Sequence, residues 1–193
     1  MINRELYPKI TEKLYRGRAL IVTGPRQVGK TTLIRKILST SGKKFIEFTG
    51  DEPDIRSMLN SPTSTRIKDL IAGAQIVFID EAQRIPNIGL TLKLMVDQIP
   101  EVQVIASGSS SFELAAGISE ALTGRKFEFQ LLPLSWKEGS DYFGRLEEHD
   151  GELSAWEFKW NPHAKNRSLP KTFTRNYKPR ATQIITPDNY EGF

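Results

Sequence analysis

The sequence RALIVTGPRQVGKTTL, residues 18–33, predicts in order a strand, a glycine-rich turn and the start of a helix. Arg18–Thr23 contains a short apolar run bounded by glycines, which is typical of a buried strand in a parallel sheet. The turn carries Gly24 and Gly29, and the residues after it predict a helix over about 30–39. A buried strand that enters a helix through a tight turn is the repeating unit of α/β folds.

Strands and helices alternate along most of the remaining chain. Further strands are predicted at Lys44–Phe48, Gln75–Ile79, Val102–Ala106 and Lys126–Leu132. Helices are predicted at residues 4–17, 54–59, 64–71, 88–98, 111–122 and 134–143. This order predicts three layers, a parallel sheet with helices on both faces.

The glycine-rich turn fits the phosphate-binding pattern G-x-x-x-x-G-K-[ST]. Its two glycines permit backbone angles that direct successive N–H groups at phosphate oxygens. We expect the Lys30 ammonium to reach the β- and γ-phosphates and the Thr31 hydroxyl to bind Mg²⁺. The predicted nucleotide-binding residues are Gly24, Pro25, Arg26, Gln27, Val28, Gly29, Lys30, Thr31 and Thr32.

Two carboxylates, Asp80 and Glu81, follow the third predicted strand directly. Beside a phosphate-binding loop, a Mg²⁺-organising carboxylate is needed at a strand end, so Asp80 is predicted to hold the metal, largely through water. Glu81 is predicted to orient and deprotonate the attacking water. The alternative is a pair of solvated carboxylates at the start of a loop.

Ser109 and Arg125 are further candidates for contact with the γ-phosphate. Ser109 belongs to a polar run after the fourth strand, from which it would contact the γ-phosphate or the attacking water. The alternative is an N-cap run for the next helix, with Ser110 or Ser111 as the cap. Arg125 opens the fifth strand, from which it would stabilise the transition state in its own or a neighbouring subunit. The alternative for Arg125 is a surface side chain or a partner of a helix C-terminus.

The composition is that of a globular protein of 193 residues, with no cysteine and a net charge of +4. Without cysteine, disulfides, thiolate zinc sites and cysteine nucleophiles are excluded. The start of the sequence shows no apolar signal region, and no apolar run approaches the roughly 20 residues that span a bilayer. We therefore expect a cytoplasmic protein that does not enter the membrane.

The pattern changes after about Gly144. Glu152–Trp160 alternates like a strand, with a hairpin turn predicted at residues 149–151, and Thr182–Thr186 is a further strand candidate. Between them, Lys159–Arg180 carries seven basic residues and no acidic one. This segment fits either a solvated, poorly ordered tail or a contact with nucleic acid.

The chain resembles the AAA-type ATPases of bacteria and archaea whose C-terminal domain is related to PD-(D/E)xK nucleases. The resemblance covers residues 1–143 and rests on RELYPKI, TGPRQVGKTTL, FIDEAQRIP, ASGSSSFEL and LTGRKFEFQLLPLSWKE. It implies an AAA-type P-loop domain over 1–143, with ATP as the nucleotide. The resemblance also implies the nucleotide-binding, metal-binding and catalytic roles described above for Lys30, Thr31, Asp80, Glu81, Ser109 and Arg125.

Residues 144–193 resemble only the end of the family's second domain, particularly at AWEFKWNP and ITPDNYEGF. We therefore expect an internally shortened chain with a junction near Asp141–Arg145 and a short C-terminal α+β remnant. Glu157-Phe158-Lys159 supplies the E-x-K of the nuclease motif, but Gly144 stands where its aspartate is needed. No nuclease activity is expected, and the E-x-K equally fits a strand with outward charges.

The expected activity is Mg²⁺-dependent ATP binding and hydrolysis that drives a conformational switch on an unidentified protein partner. One alternative is an ATP-binding module with little turnover, because the family's lid region is missing and closure completes such sites. The other is a nucleic-acid-associated protein that uses the basic segment.

Overall fold

A five-stranded sheet occupies the centre of residues 5–133 in the computed structural model. Its strands are β1 (Ala19–Thr23), β2 (Phe45–Thr49), β3 (Ile76–Asp80), β4 (Gln103–Gly108) and β5 (Lys126–Gln130). They stand in the order β2-β3-β4-β1-β5, and all neighbouring pairs are parallel. The predicted α/β fold is therefore confirmed, and β4 separates the strand before the glycine-rich turn from the strand that ends in carboxylates.

The structure describes residues 2–109, 118–135, 138, 145–149, 152–158 and 171–186. Within these ranges, no helix combines the length and the apolar character needed to cross a bilayer.

Helices cover both faces of the sheet. They are α1 (Leu6–Glu12), α2 (Lys30–Thr40), α3 (Pro53–Met58), α4 (Ser64–Ile71), α5 (Ile88–Gln98) and α6 (Ile118–Ala121), with a 3₁₀ turn at Ala82–Arg84. Successive strand side chains point to opposite faces. Leu20 and Val22 therefore join the core under α1 and α2, whereas Ile21 joins the core under α4, α5 and α6.

The first helix is shorter than the predicted span of residues 4–17, because α1 ends at Glu12. Tyr15 has a positive φ of 59°, which no helical residue adopts. The Tyr15 N–H donates to Gln103 Oε1 at 2.6 Å, so a partner 88 residues away replaces the helical hydrogen bond. This helix end is decided by tertiary structure, and the apolar spacing that predicted a longer helix does not reveal it.

Other predicted elements differ by a few residues or lie partly outside the described ranges. Strand β4 extends to Gly108, two residues beyond the predicted end at Ala106. Of the helix predicted over 111–122, the structure describes residues 118–122, and α6 lies there. The boundary predicted after residue 143 lies outside the described residues and stays a prediction.

Residues 1–4 and 134–193 form a second unit with its own three-stranded sheet. Its elements are β6 (Arg145–His149), β7 (Glu152–Phe158), α7 (Lys171–Tyr177) and β8 (Ala181–Ile185). Strand β6 pairs antiparallel with β7 in a register that sets His149 opposite Glu152, and residues 150 and 151 of the predicted turn lie outside the described ranges. Strand β8 pairs parallel with β7. Ala155 is fully buried at the centre of this unit.

Two ionic contacts are described in this unit. Arg4 Nε lies 3.1 Å from Glu138 Oε1, with both side chains largely buried. Arg180 Nη1, at the end of the basic segment, lies 2.7 Å from Glu152 Oε2 at the surface. Helix α7 lies within the same segment, where no helix was predicted. Gly144 and Lys159, on which the nuclease comparison depends, lie outside the described residues.

Candidate functional site

The glycine-rich turn begins against the end of β5. The Leu131 N–H donates to the Thr23 carbonyl at 2.7 Å, which brings the backbone of β5 beside Gly24. A Cβ atom on Gly24 would lie 2.1 Å from the Leu131 carbonyl oxygen, and Gly24 has a φ of +151°. Contact distance and backbone angle both require glycine at the first position of the loop.

Gly29 ends the turn and is the N-cap of α2, with a φ of +92°. Because glycine has no side chain, no capping group occupies the first N–H groups of the helix. These N–H groups and the positive end of the helix dipole form a binding site for anions at the C-terminal end of the turn.

Lys30 lies in the first turn of α2 with only 6% of its surface exposed. Its Nζ atom donates to the carbonyls of Gly24 at 2.9 Å and Pro25 at 2.8 Å, which leaves one N–H of the ammonium for another acceptor. Burial lowers the pKa of Lys30, and the carboxylates of Glu81 and Asp80 act in the opposite direction. The loop thus holds a cation at its centre at a desolvation cost.

The Asp80 carboxylate accepts hydrogen bonds from three elements of the site. Thr31 Oγ1, on α2, donates to Asp80 Oδ2 at 2.8 Å. The buried Ser107 hydroxyl, on β4, donates to Oδ1, and the Glu81 N–H donates to the same oxygen at 3.0 Å. The two residues predicted to hold a metal ion, Thr31 and Asp80, are therefore in direct contact across 49 positions of sequence.

Glu81 follows Asp80 in a left-handed conformation, with a φ of +47°, as the N-cap of the 3₁₀ turn. Its Oε2 atom accepts a hydrogen bond from Gln83 Nε2 at 2.5 Å. The end of β2 packs directly behind it, because a Cβ atom on Gly50 would lie 2.4 Å from the Glu81 carbonyl oxygen. Glu81 is thus fixed at the same sheet edge as Asp80.

The other loop residues line the surface of the turn. Pro25, Arg26 and Gln27 are exposed, as is Thr32 in the first turn of α2. Val28 is partly buried and packs on the core under α2.

Ser109 follows the last residue of β4, at the carboxyl edge of the sheet. Ser110 and Ser111, the alternative helix-capping residues, lie outside the described ranges. The contact with the γ-phosphate predicted for Ser109 stays a prediction.

Arg125 is placed at the opposite edge of the sheet. Its carbonyl accepts from the Ala19 N–H at 2.9 Å, so it precedes β5 beside the start of β1, whereas the glycine-rich turn follows the end of β1. A strand of this length spans roughly 16 Å. The Arg125 guanidinium pairs with Asp97 at 2.7 Å. The structure does not bring Arg125 to the site of its own chain, and a role in a neighbouring subunit stays a prediction.

Three contributors to the site were missed by sequence reasoning: Ser107, Gln83 and Gly50. The pairing of Ile79 with Ala106 places Ser107 one step further along, beside Asp80. Extending the fourth strand by one residue would have pointed to Ser107. No local signal marks Gly50, because the fold brings it beside Glu81. Gln83 lies only two residues after Glu81, but its contact with that carboxylate was not predicted.

The described residues contain no cluster of three or more His, Cys, Asp or Glu side chains arranged to hold a metal ion. A Mg²⁺ ion bound together with substrate phosphates needs only one or two protein carboxylates.

Residues 16–139 match the family of AAA domains, which is well over half of the chain. The chain belongs to the AAA-type P-loop ATPases. The match spans the glycine-rich turn, the Asp80–Glu81 pair and all five strands of the parallel sheet. The AAA-type fold predicted from the sequence is confirmed, and with it a nucleotide-binding domain.

Uncharacterized proteins of Mycobacterium bovis and Mycobacterium tuberculosis are each 34% identical to this AAA-type chain over 149 residues. The alignment covers 74% of this chain and 32% of each relative, so the chain spans about a third of the length of the curated relatives it matches.

Similar solved structures include a chain from Drosophila ORC bound to DNA, with 15% identity and a TM-score of 0.48 over 71% of this chain and 94% of that one. AMPPCP-bound DnaA from Aquifex aeolicus has 15% identity and a TM-score of 0.45 over 66% and 44%. Two coordinating Pif1 helicases at forked double-stranded DNA give 16% identity and a TM-score of 0.43 over 70% and 45%. Because these identities and TM-scores are low, the assignment to a family rests on the match to AAA domains alone.

Proposed function

We propose that this AAA-type chain binds ATP with Mg²⁺ and hydrolyses it at the carboxyl edge of its parallel sheet. The observation that carries the proposal is the contact between Thr31 and Asp80. It joins the helix after the phosphate-binding turn to the strand that ends in carboxylates. A hydroxyl and a carboxylate in contact beside an anion-binding loop are the protein groups that a Mg²⁺–triphosphate complex needs.

The residues present fit a Mg²⁺ ion. A hydroxyl and a carboxylate supply the hard oxygen atoms that Mg²⁺ prefers. Thr31 Oγ1 and Asp80 Oδ2 are 2.8 Å apart, and Ser107 and the Glu81 N–H restrain the other carboxylate oxygen. Thr31 and Asp80 would hold the ion, which when bound would neutralise charge on the β- and γ-phosphate oxygens.

The other parts of the loop act on the nucleotide directly. The N–H groups at the start of α2 bind phosphate oxygens, and the Lys30 ammonium places a desolvated positive charge against the β- and γ-phosphates. Glu81 accepts the proton of the attacking water as general base. These roles divide the site into Lys30 and Thr31 for binding, Asp80 for the metal and Glu81 for turnover.

The wider role of the hydrolysis is proposed by family resemblance. Turnover would drive a conformational switch that acts on a protein partner in the cytoplasm. The C-terminal unit would be the remnant of a nuclease-like domain without nuclease activity, because Gly144 stands where the nuclease aspartate is needed.

Two variants and one control test the proposal by separating binding from turnover. Lys30→Ala is expected to weaken ATP binding by at least about 100-fold, since it removes the ammonium that faces the phosphates. Glu81→Gln is expected to keep ATP affinity within about twofold and lower phosphate release by roughly 100-fold. Lys43→Ala removes an exposed lysine from the loop after α2 and should leave both measurements unchanged.

The measurements are nucleotide titration with and without Mg²⁺, and steady-state phosphate release. Undiminished ATP binding by Lys30→Ala would refute the role of the loop. Tight binding without turnover by the unmodified chain would instead establish the ATP-binding module. Parallel titrations with GTP test the proposed preference for adenine.

A further inference from the structure

Glu81 is held in place at its backbone by the end of β2. The Gly50 N–H donates to the Asp80 carbonyl at 2.8 Å, and Gly50 has no Cβ atom that would overlap the Glu81 carbonyl oxygen. The left-handed φ of Glu81 is unfavourable for a residue with a side chain, by about 1–3 kcal/mol. The surrounding contacts maintain this conformation, so the carboxylate extends from a fixed point.

The Glu81 side chain is held by Gln83. Gln83 Nε2 donates to Glu81 Oε2 at 2.5 Å, and this short bond determines which way the amide faces. Turning the amide over would set its oxygen against the carboxylate oxygen, so the nitrogen must face Glu81. As a result Gln83 Oε1 is buried, with no hydrogen-bond partner in the described part of the protein.

The amide of Gln83 is not explained by stability. A buried acceptor without a partner costs about 1–3 kcal/mol, and an apolar side chain of the same length would avoid this cost. The remaining function of the amide is its bond to Glu81. The hydrogen bond to the Glu81 carboxylate is therefore the contact that accounts for an amide at this position.

We propose that Gln83 is a positioning residue for the hydrolysis, an inference that rests on the proposed function. The amide holds Oε2 of Glu81 and leaves Oε1 to take a proton from the attacking water. The water oxygen then forms a bond to the γ-phosphorus as the bond from that phosphorus to the β–γ bridging oxygen breaks. ADP leaves with the electron pair, and the proton on Glu81 passes to solvent.

The test replaces the amide with an apolar side chain of similar length. Gln83→Met is expected to lower kcat about tenfold and leave the Kd for ATP within about twofold, because the base is misplaced while the loop is intact. It should not lower the melting temperature, because a buried unpaired acceptor is removed. Gln98→Met, at the exposed end of α5, is the matched control and should change none of the three values.

The dependence on Glu81 separates positioning from a general structural effect. In a Glu81→Gln background, measured by long single-turnover incubations, adding Gln83→Met is expected to change the rate by less than about twofold, because residues that act as a unit are not additive. An equal tenfold loss in that background would overturn the inference.

A pH profile of Gln83→Glu provides a readout that packing alone would not change. Near neutral pH the introduced carboxylate repels Glu81, and turnover should fall further than in Gln83→Met. At lower pH the introduced carboxyl is protonated and regains a hydrogen-bond donor. Turnover relative to the unmodified chain should therefore recover as pH falls, and a ratio independent of pH would contradict the inference.

The remaining outcomes distinguish this inference from the proposed function. Turnover by Gln83→Met within about twofold of the unmodified chain, or a lowered melting temperature with reduced ATP affinity, overturns the positioning role alone. Failure of both the unmodified chain and Gln98→Met to bind ATP overturns the proposed function. If the unmodified chain and Gln98→Met both bind ATP but release no phosphate, Glu81 is not acting as a base. The positioning role of Gln83 is then overturned as well.

Discussion

A glutamine lies at or near each of the two edges of the five-stranded sheet, and the hydrogen bonds of these two side chains differ. At the amino edge, Gln103 Oε1 accepts from the Tyr15 N–H at 2.6 Å. Its Nε2 donates to the carbonyls of Arg18 at 2.9 Å and Val104 at 2.8 Å. Beyond the carboxyl edge, Gln83 makes one bond, to Glu81, and its own oxygen is buried without a partner among the described residues.

The difference indicates that the amino edge of the sheet contributes to stability, whereas the carboxyl edge holds the groups of the candidate site. Every polar atom of the Gln103 amide is paired with backbone, so this side chain stabilises the turn between α1 and β1. At the other edge, the side chains of Thr31, Ser107 and Gln83 all donate to two adjacent carboxylates. The desolvated Lys30 and the unpaired oxygen of Gln83 are unfavourable for folding, and natural proteins retain such features at functional sites.

Among the variants that compare the two edges, Gly24→Ala at the carboxyl edge is expected to have the largest effect on stability. The new methyl group would overlap the Leu131 carbonyl, so the loop or the end of β5 must move. We expect a loss of about 3 kcal/mol in the free energy of unfolding, and ATP affinity should fall by at least about tenfold. Urea unfolding and nucleotide titration measure the two quantities.

Gly42→Ala is the matched control for that variant. Gly42 has a φ of +64° with nothing within 4 Å of its added Cβ, so alanine there meets only the backbone penalty. That penalty is about 1–2 kcal/mol, and ATP affinity should not change. Equal effects of the two substitutions would show that close packing against Leu131 is not what requires glycine at residue 24.

The second effect tests the amino edge through Gln103→Met. This change leaves the Tyr15 N–H and the Arg18 carbonyl without their partner, at a cost of about 1–3 kcal/mol. The melting temperature should fall by roughly 2–4 °C per kcal/mol, while the Kd for ATP stays constant. Gln103→Met should therefore lose stability and keep its turnover per folded molecule, whereas Gln83→Met should keep its stability and lose turnover. A change in Kd for ATP would break the division between the two edges.

The smallest effect is expected for Arg125→Ala. The Arg125–Asp97 pair is partly exposed, with 41% and 32% of the side chains accessible, so its loss should cost less than about 1 kcal/mol. Phosphate release at low protein concentration should be unchanged, because Arg125 lies at the far edge from the site. A decrease confined to high protein concentration would indicate that Arg125 acts on a neighbouring subunit.

The central part of the fold could be predicted from local patterns. The apolar run of β1 and the glycines at positions 24 and 29 specify strand, turn and helix within one short stretch, because burial and backbone angle are properties of each residue type. The same reasoning located Asp80 at the end of β3. Parallel strands then bring the turn and the carboxylates to one edge, so Lys30, Thr31, Asp80 and Glu81 meet as expected.

Features that depend on side-chain contacts between distant elements could not be predicted from the sequence. The early end of α1 depends on Gln103, and the hydrogen bond from Ser107 to the Asp80 carboxylate was not predicted. Arg125 resembled a γ-phosphate contact in sequence, yet the direction of β5 places it at the amino edge.

The amino-acid sequence by itself determined that this protein has a phosphate-binding turn in an α/β fold, because strand burial, glycine angles and helix starts are encoded within a few neighbouring residues. Only the tertiary structure decided that Thr31 and Ser107 hold the Asp80 carboxylate. Strand order and register set those two contacts, because they join residues 49 and 27 positions apart.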